Sequence, residues 1–151
     1  MKIAIGADHR GFELKEKIKS YLKKKGFEYH DFGTISNSSV DYPDFANKVA
    51  ESVADKHFDS GIIICYTGIG MSIAANKVKG IRAALCLDDL MAYYARAHND
   101  ANVLVLSAKF CDLEHIYRKI IDRWFSEKFE GERHIRRIGK ISNYEDSTYR
   151  R

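Results

Sequence analysis

The amino-acid sequence predicts an α/β fold in which helices cover both faces of an open parallel sheet. Short β-branched segments alternate with amphipathic segments along the 151 residues, which is the pattern of repeated strand-helix units. Two of the predicted strands contain continuously apolar runs, at 61–65 and 103–106, as is typical of central strands buried on both sides. Five strands are predicted, and their alternation with helices implies that they run parallel.

The first predicted elements are a strand from Lys2 to Ala7 and a helix from Phe12 to Lys25, which has apolar residues at helical spacing and ends at Gly26. The other predicted strands are Phe27 to Asp31, Ser60 to Cys65, Ile81 to Leu85 and Asn102 to Leu106. The other predicted helices are Tyr42 to Asp55, Gly70 to Lys77, Asp89 to His98 and Leu113 to Phe129. Pro43 lies at the start of its helix, where its missing N–H costs little.

The length and the 45% hydrophobic content fit one domain with a single core, so the whole chain, 1–151, is expected to form one domain. The formal net charge is +4, but acidic and basic residues are interspersed through most of the sequence. This distribution favours a small anionic ligand over bulk nucleic acid.

The three cysteines, Cys65, Cys86 and Cys111, are odd in number and widely spaced. Neither a disulfide framework nor a metal site with paired cysteine ligands fits this pattern, and a reducing cytosol fits it best. No segment approaches the roughly 20 consecutive apolar residues that a membrane span needs. We therefore expect a cytoplasmic protein with no metal and no membrane partner.

A cluster of basic residues near the end of the chain is the local exception to the even distribution of charge. It comprises Arg133, His134, Arg136, Arg137 and Lys140. Such a cluster fits a phosphate clamp, a nucleic-acid patch or the solvated face of a helix, and these alternatives stay open.

Two segments with chemically active side chains follow predicted strands, where ligands bind in open α/β sheets. Asp8 to Gly11 follows the first strand, and Cys65 to Ser72 follows the third. The glycines at 68 and 70 let the second segment turn its backbone N–H groups inward, so that it can stabilise an anion. The segment does not end in the Gly-Lys-Ser/Thr of a Walker A motif, and Ile73 stands where a dinucleotide-binding fingerprint has glycine or alanine. Both differences argue against nucleotide binding by this loop.

Cys65 has two interpretations. An isolated buried cysteine is usually a small core residue. A thiol beside a helix N-terminus can instead have a lowered pKa and act as a base. The neighbouring glycines and hydroxyl groups favour the second interpretation.

His98, with Asn99 and Asp100, lies near the end of the fourth predicted helix, where a histidine is often a helix-end cation or a core residue. If that helix returns to the amino ends of the strands, His98 lies at the end of the sheet opposite Cys65. If both residues serve one site, we expect His98 to come from a second subunit.

From Lys2 to about Ile141, the sequence resembles the type B ribose-5-phosphate isomerases and the broader group that includes galactose-6-phosphate isomerase. The motifs that carry the resemblance are Gly6 to His9 with Gly11-Phe12, Asp41-Tyr42-Pro43, Cys65 with Thr67 to Gly70, Ser72 to Lys77, Gly80 to Ala83, His98 to Val103 and Gly131 to His134. The presence of so many motifs in the same order argues against chance agreement.

The resemblance implies a Rossmann-like three-layer αβα sandwich with no cofactor, which interconverts ribose 5-phosphate and ribulose 5-phosphate through a cis-enediolate. It also implies a homodimer or a dimer of dimers with sites shared between subunits, and a helical tail, at about 131–151, that packs at the interface. Cys65 resembles the base that moves a proton between C2 and C1, and Thr67 the hydroxyl that shuttles protons between the oxygens. His98, assisted by Asp8, resembles the group that opens the sugar ring.

The resemblance further implies a set of substrate-binding residues. The anion hole would be Gly68, Ile69, Gly70, Met71 and Ser72, the phosphate contacts His9, Lys109, Arg133 and Arg137, and the sugar contacts Tyr42 and Asn99.

Three positions depart from the family pattern. Tyr66 follows Cys65 where a glycine is usual, and is expected to narrow the pocket or alter the substrate preference. Glu132 replaces a common glycine and places a negative charge beside the expected phosphate contacts. Lys109 replaces a common arginine, so a bidentate phosphate contact from that position is lost.

Several functional alternatives remain. Galactose 6-phosphate, allose 6-phosphate and unphosphorylated rare sugars are other possible substrates, although His98 and Asn99 favour ribose 5-phosphate. A non-catalytic sugar-phosphate-binding protein can use the same scaffold, but the presence of Cys65, Thr67 and His98 argues against it. Nucleic-acid binding rests on the basic tail alone.

Overall fold

In the computed structural model, which describes residues 1–149, five strands form one parallel sheet. The strands are β1 (Lys2–Ala7), β2 (Glu28–Asp31), β3 (Ser60–Cys65), β4 (Ala83–Leu85) and β5 (Val103–Ser107). Their order in the sheet is β2-β1-β3-β5-β4. The helices are α1 (Phe12–Lys24), α2 (Tyr42–Ala54), α3 (Ile69–Ala75), α4 (Asp89–Ala97), α5 (Ala108–Cys111), α6 (Glu114–Ser126) and α7 (Arg133–Tyr149). The predicted α/β fold with five parallel strands is confirmed.

Helices pack on both faces of the sheet because the central strands are apolar on both faces. Along β3, Ile62 and Ile64 belong to a core formed with α1, α4 and α6. Ile63 and Cys65 belong to a second core, formed with α2 and α3. This alternation follows from the two-residue repeat of a strand and gives the three layers of the sandwich.

The strand order creates a crevice between β1 and β3. From β1 the chain crosses to β2 on one side of it and then returns to β3 on the other side. The helices that follow β1 and β3 lie in different layers, as Leu14 of α1 and Met71 of α3 belong to different cores. Ligands bind at such switch points in parallel sheets, beyond the carboxyl ends of the strands. Asp8 and Cys65 stand at those two ends.

The structure differs from the predicted elements mainly at their boundaries. β4 begins at Ala83 and not at Ile81, because the Ile81 N–H bonds the carbonyl of Val78 at 3.1 Å and the Arg82 N–H bonds the Asn102 side chain at 2.9 Å. Backbone groups engaged in this turn cannot join the ladder of hydrogen bonds in the sheet.

Two further differences lie in the second half of the chain. Helix α6 ends at Ser126 and not at Phe129, because Glu127 has an extended backbone. Helix α5 was not predicted, and its N-terminus is capped by Ser107, whose Oγ accepts a hydrogen bond from the Phe110 N–H at 3.2 Å.

The expected helical tail corresponds to α7, and residues 150 and 151 lie outside the described part of the chain. Among residues 1–149, no helix combines the length and the apolar character that a bilayer crossing requires.

Candidate active site

The loop after β3 places backbone N–H groups around the sulfur of Cys65. The Cys65 Sγ accepts a hydrogen bond from the Gly68 N–H at 3.2 Å, and the N–H groups of Thr67 and Met71 also bond to it. Gly68 has a φ of +81°, which turns the chain back over the sulfur and favours glycine. The Ile69 N–H bonds the Thr67 Oγ1 at 3.3 Å, which holds that hydroxyl beside the loop.

The predicted sugar contact Tyr42 lies against the same loop. A Cβ atom added to Gly70 would lie 2.7 Å from the Tyr42 ring, so the close approach of this ring requires glycine. The N–H of Ser72 already bonds the carbonyl of Gly68 at 3.0 Å within the start of α3. Ser72 can therefore offer its hydroxyl to a ligand more readily than its amide.

The expected lowering of the Cys65 pKa is wrong for the single chain. Burial raises the pKa of this thiol, the nearby Asp8 carboxylate raises it further, and the N–H groups of Met71, Gly68 and Thr67 only partly oppose these effects. The residue is 6% exposed, which explains why desolvation of the thiolate dominates. Cys65 is therefore mostly protonated at neutral pH.

Asp8 has a structural role at the start of the loop after β1. It is 5% exposed, and its Oδ1 accepts hydrogen bonds from the N–H groups of Arg10 at 2.9 Å and Gly11 at 3.0 Å. The next residue, His9, accepts the Val40 N–H at its Nδ1, at 3.2 Å. This bond leaves the Nε2 of His9 as the nitrogen that can meet a ligand.

Two cations flank Tyr66 at the mouth of the loop. The Arg10 guanidinium lies 4.3 Å from the Tyr66 ring centroid, and the Lys109 ammonium lies 5.5 Å from it. The Tyr66 ring is 40% exposed and lines a cavity of about 120 Å³, to which Arg10 and Ala108 also contribute but Cys65 does not. Lys109, which the resemblance suggests as a phosphate contact, thus lies near the Cys65 loop, and Arg10 is an additional cation there.

A second group of predicted site residues surrounds His98. This residue caps the C-terminus of α4, and its ring stacks on that of His134 with centroids 4.2 Å apart and planes inclined by 18°. Its Nε2 lies 3.6 Å from the Oε2 of Glu130. Asn99 follows it and donates to the Tyr94 carbonyl at 3.1 Å.

The exposed residues Arg133 and Arg137 lie at the start of α7, which also carries His134. Burial and the neighbouring His98 and Arg133 lower the pKa of His134, so its imidazole is neutral at neutral pH. Because Arg133 and Arg137 lie on the same helix as His134, which stacks on His98, they belong to the group of residues around His98 and not to the Cys65 loop.

The two groups of residues lie at opposite ends of the sheet. Cys65 pairs with Ser107 at the carboxyl end of β5, whereas His98 precedes Val103, the first residue of that strand. The four residue steps of β5 alone span about 13 Å at the usual rise of a parallel strand. Asp8 follows the carboxyl end of β1, so it also lies far from His98 within one chain.

The structure adds residues that the sequence analysis did not assign to the site. Glu130 and His134 contact each other at 3.5 Å, and Tyr93 donates to Glu130 at 2.9 Å. The spacing of Glu130 and His134, four residues apart, was the available signal. A spacing of four residues normally indicates neighbours on one helix, but no helix joins Glu130 to His134. Gly131 and Glu132 have positive φ angles, which break any helix between the two residues.

A thiol at the switch point of a parallel sheet, surrounded by loop amides, is an arrangement typical of enzymes of the α/β class. The chain matches the Ribose/Galactose Isomerase family over residues 3–141, and it belongs to this family of isomerases.

Its relatives include ribose-5-phosphate isomerase B of Escherichia coli, which is 45% identical over 144 residues that cover 95% of this chain and 96% of that protein. The solved ribose-5-phosphate isomerase B of Clostridium thermocellum has a TM-score of 0.95 at 52% identity, covering 98% of this chain and 99% of that one. The enzyme of Mycoplasma genitalium, solved with bound ribulose-5-phosphate, has a TM-score of 0.90 at 46% identity, covering 96% of each chain.

Gly68→Ala should lower the free energy of unfolding more than Gly80→Ala. Both glycines have a positive φ, so both changes cost about 1–2 kcal/mol of backbone strain. A Cβ at Gly80 meets open space, whereas one at Gly68 overlaps the Leu85 side chain and adds about 1–3 kcal/mol. Chemical denaturation measures both values, and equal losses would show that the packing of the loop is not tight.

Proposed function

We propose that the protein interconverts ribose 5-phosphate and ribulose 5-phosphate. The observation that carries this proposal is the Cys65 sulfur, held against the N–H groups of the loop that begins with Thr67. Transfer of a proton next to a carbonyl needs a base and donors for the oxyanion that forms, and this loop offers both. The E. coli relative and the ribulose-5-phosphate bound to the M. genitalium enzyme support this choice of substrate.

In the proposed mechanism, the thiolate of Cys65 removes the proton from C2 of the open-chain aldose. The electron pair of that C–H bond forms the C1=C2 double bond, and the charge moves to O1 of a cis-enediolate. The N–H groups of the loop stabilise this oxyanion by roughly 3–4 kcal/mol per donor. Thr67 transfers a proton between O2 and O1, and the Cys65 thiol returns its proton to C1, which gives the ketose.

Substrate binding divides between the two ends of the sheet. We propose that His9 and Lys109 on one side, and Arg133 and Arg137 on the other, hold the phosphate, because a dianion is best held by several cations. Tyr42 packs on the loop after β3, and Asn99 follows His98. Each is therefore suitably placed to contact the sugar from its own end of the sheet.

The separation of Cys65 and His98 requires a second subunit if both act on one sugar. We therefore propose a homodimer, or a dimer of dimers, in which His98 of one chain opens the sugar ring bound at Cys65 of the other. In this arrangement Asp8 can assist only the His98 that the second subunit brings.

An apolar surface beside the free edge of β4 supports this assembly. β4 is the last strand of the sheet, and a groove of about 580 Å³ beside it is lined in part by Leu85, Met91, Tyr94 and Ile141. The large exposed apolar residues of α3, α4 and the segment before α4 are Ile69, Ile73, Leu87, Leu90, Met91 and Tyr94. An exposed apolar surface of this kind beside an unpaired edge is typical of a protein interface. Ile141 of α7 also lines the groove, which supports the proposal that α7 packs at this interface.

The cytoplasmic location stays a prediction that rests on the cysteine pattern. Galactose 6-phosphate and allose 6-phosphate stay competing substrates. Comparison of the kcat/KM values for the three sugar phosphates tests the choice, and the value for ribose 5-phosphate should be the highest.

Cys65→Ala should lower kcat by roughly 10²–10⁴-fold while leaving substrate affinity nearly unchanged, because it removes the base but retains the phosphate contacts. Cys111→Ala is the control, since this cysteine is also buried but lies on α5, outside the loop. Unchanged turnover in Cys65→Ala would exclude this thiol as the base.

The activity of the unmodified protein should rise with pH. Burial raises the pKa of Cys65 above its ordinary value, and the thiolate is the active form. Above about pH 7 and below that pKa, kcat/KM should therefore increase about tenfold per pH unit. A kcat/KM profile that is flat from neutral pH to about pH 9 would show that the thiol ionises at a lower pH than the structure of the single chain indicates.

Mixed dimers test the shared site. Cys65→Ala and His98→Asn proteins are expected to be inactive alone, but a mixed dimer has one site with both residues intact. Random pairing makes half of the dimers mixed, so the mixture should recover about a quarter of the unmodified activity. Mixing Cys65→Ala with Thr67→Ala is the control and should recover none, because both changes affect the same loop. Absence of recovery in the first mixture would place Cys65 and His98 in separate sites.

A further inference from the structure

Three potential metal ligands converge at the end of the sheet where His98 lies. The ligating atoms of His98, Glu130 and His134 all lie within 4.8 Å of one another. The Nε2 atoms of His98 and His134 lie 3.6 Å and 3.5 Å from the same oxygen, the Oε2 of Glu130. Two ligand atoms that each lie about 2.0–2.1 Å from a tetrahedral zinc ion are about 3.3 Å apart. Both nitrogen-oxygen distances are therefore already close to the distance between two ligands of a bound zinc ion.

The Nε2 of His134 has no hydrogen-bond partner within the described chain, although it is buried. The whole residue is only 4% exposed. Its distance of 3.5 Å to Glu130 does not make a hydrogen bond, and a buried polar atom without a partner costs free energy. A cation between these groups would satisfy this nitrogen.

The surroundings of Glu130 direct one carboxylate oxygen toward the two imidazoles. The Tyr93 hydroxyl donates to the Oε1 of Glu130 at 2.9 Å, which leaves Oε2 facing His98 and His134. The Glu130 N–H also bonds the carbonyl of Ala97 at 2.9 Å. Outer partners of this kind fix the orientation of carboxylates that bind metals.

In the single chain, a cation can reach this position from solvent. The side chains of His98 and Glu130 are 28% and 41% exposed. The rings of His98 and His134 are nearly parallel, so one ring must turn before both Nε2 lone pairs meet at one point. His98 is the more exposed of the two, so its ring is the one that we expect to turn.

We propose that His98, Glu130 and His134 form a binding site for a zinc-class divalent cation. Two imidazoles and one carboxylate are a ligand set of zinc sites that keep a fourth position open. The positive charge of the neighbouring Arg133 opposes any cation, so the site selects ions that bond strongly to nitrogen over Mg²⁺ or Ca²⁺. A bound ion occupies the Nε2 of His98 and blocks ring opening, and this consequence for turnover, unlike the binding, rests on the proposed function.

Binding is tested with Co²⁺ by visible absorption and with Zn²⁺ by calorimetry, on full-length Cys65→Ser protein so that this thiol cannot contribute. The expected result is one ion per chain, with the visible bands of tetrahedral Co²⁺ and no sulfur-to-cobalt charge-transfer band. Glu130→Gln and His134→Gln, each added to this protein, should weaken binding by at least about 100-fold, because each removes a direct ligand.

Tyr93→Phe should weaken binding by about 10–100-fold, because it removes only the outer partner of Glu130. His115→Gln is the matched control, since it removes an exposed histidine on α6 and should leave the affinity unchanged. Absence of Co²⁺ and Zn²⁺ binding would overturn the proposal, as would equal affinity in the Glu130→Gln protein and the control.

Turnover of the protein with Cys65 intact should fall as Zn²⁺ is added, and Tyr93→Phe should need about 10–100-fold more Zn²⁺ for the same loss. If neither the unmodified protein nor Tyr93→Phe turned over ribose 5-phosphate without Zn²⁺, the proposed function would be wrong. The Co²⁺ absorption spectra would still show whether the metal site exists. If Zn²⁺ bound at these ligands but left turnover unchanged, the blocking of ring opening would be wrong.

Discussion

The common direction of the parallel strands determines which residues of this protein can meet within one chain. All five strands end on the same side of the sheet, so the residues that follow β1 and β3 meet there. Each helix that returns the chain to the next strand must end on the other side, and α4 carries His98 there. A single chain therefore holds two groups of candidate site residues, one around Cys65 and one around His98, at opposite ends of the sheet.

The environment of Cys65 balances two effects that oppose each other. Burial in the core beneath α2 and α3 disfavours the thiolate, while three backbone N–H groups favour it. Burial dominates in the single chain, which makes the thiolate scarce but a stronger base once formed. The same amides cost no reorganisation when the substrate oxygen becomes negative, since Gly68 already holds the loop in its turned conformation.

The fold and the Cys65 loop were predictable because they depend on local patterns. Apolar runs identified the central strands, and the glycines at 68 and 70 identified the turn that follows Cys65. The sign of the Cys65 pKa shift was not predictable, because it depends on how deeply α2 and α3 bury the sulfur. The contact of His134 with His98 was also missed, because it joins α7 to α4 across more than thirty residues of sequence, a distance at which no periodic pattern acts.

A crystal structure of the Cys65→Ala protein with ribose 5-phosphate tests the shared site most directly, because the variant should bind the sugar without converting it. We expect the first two carbons of the sugar to lie beside residue 65 of one chain, with the His98 imidazole of a second chain at the ring oxygen. A sugar bound at only one end of the sheet, with no second chain contributing a residue, would contradict it.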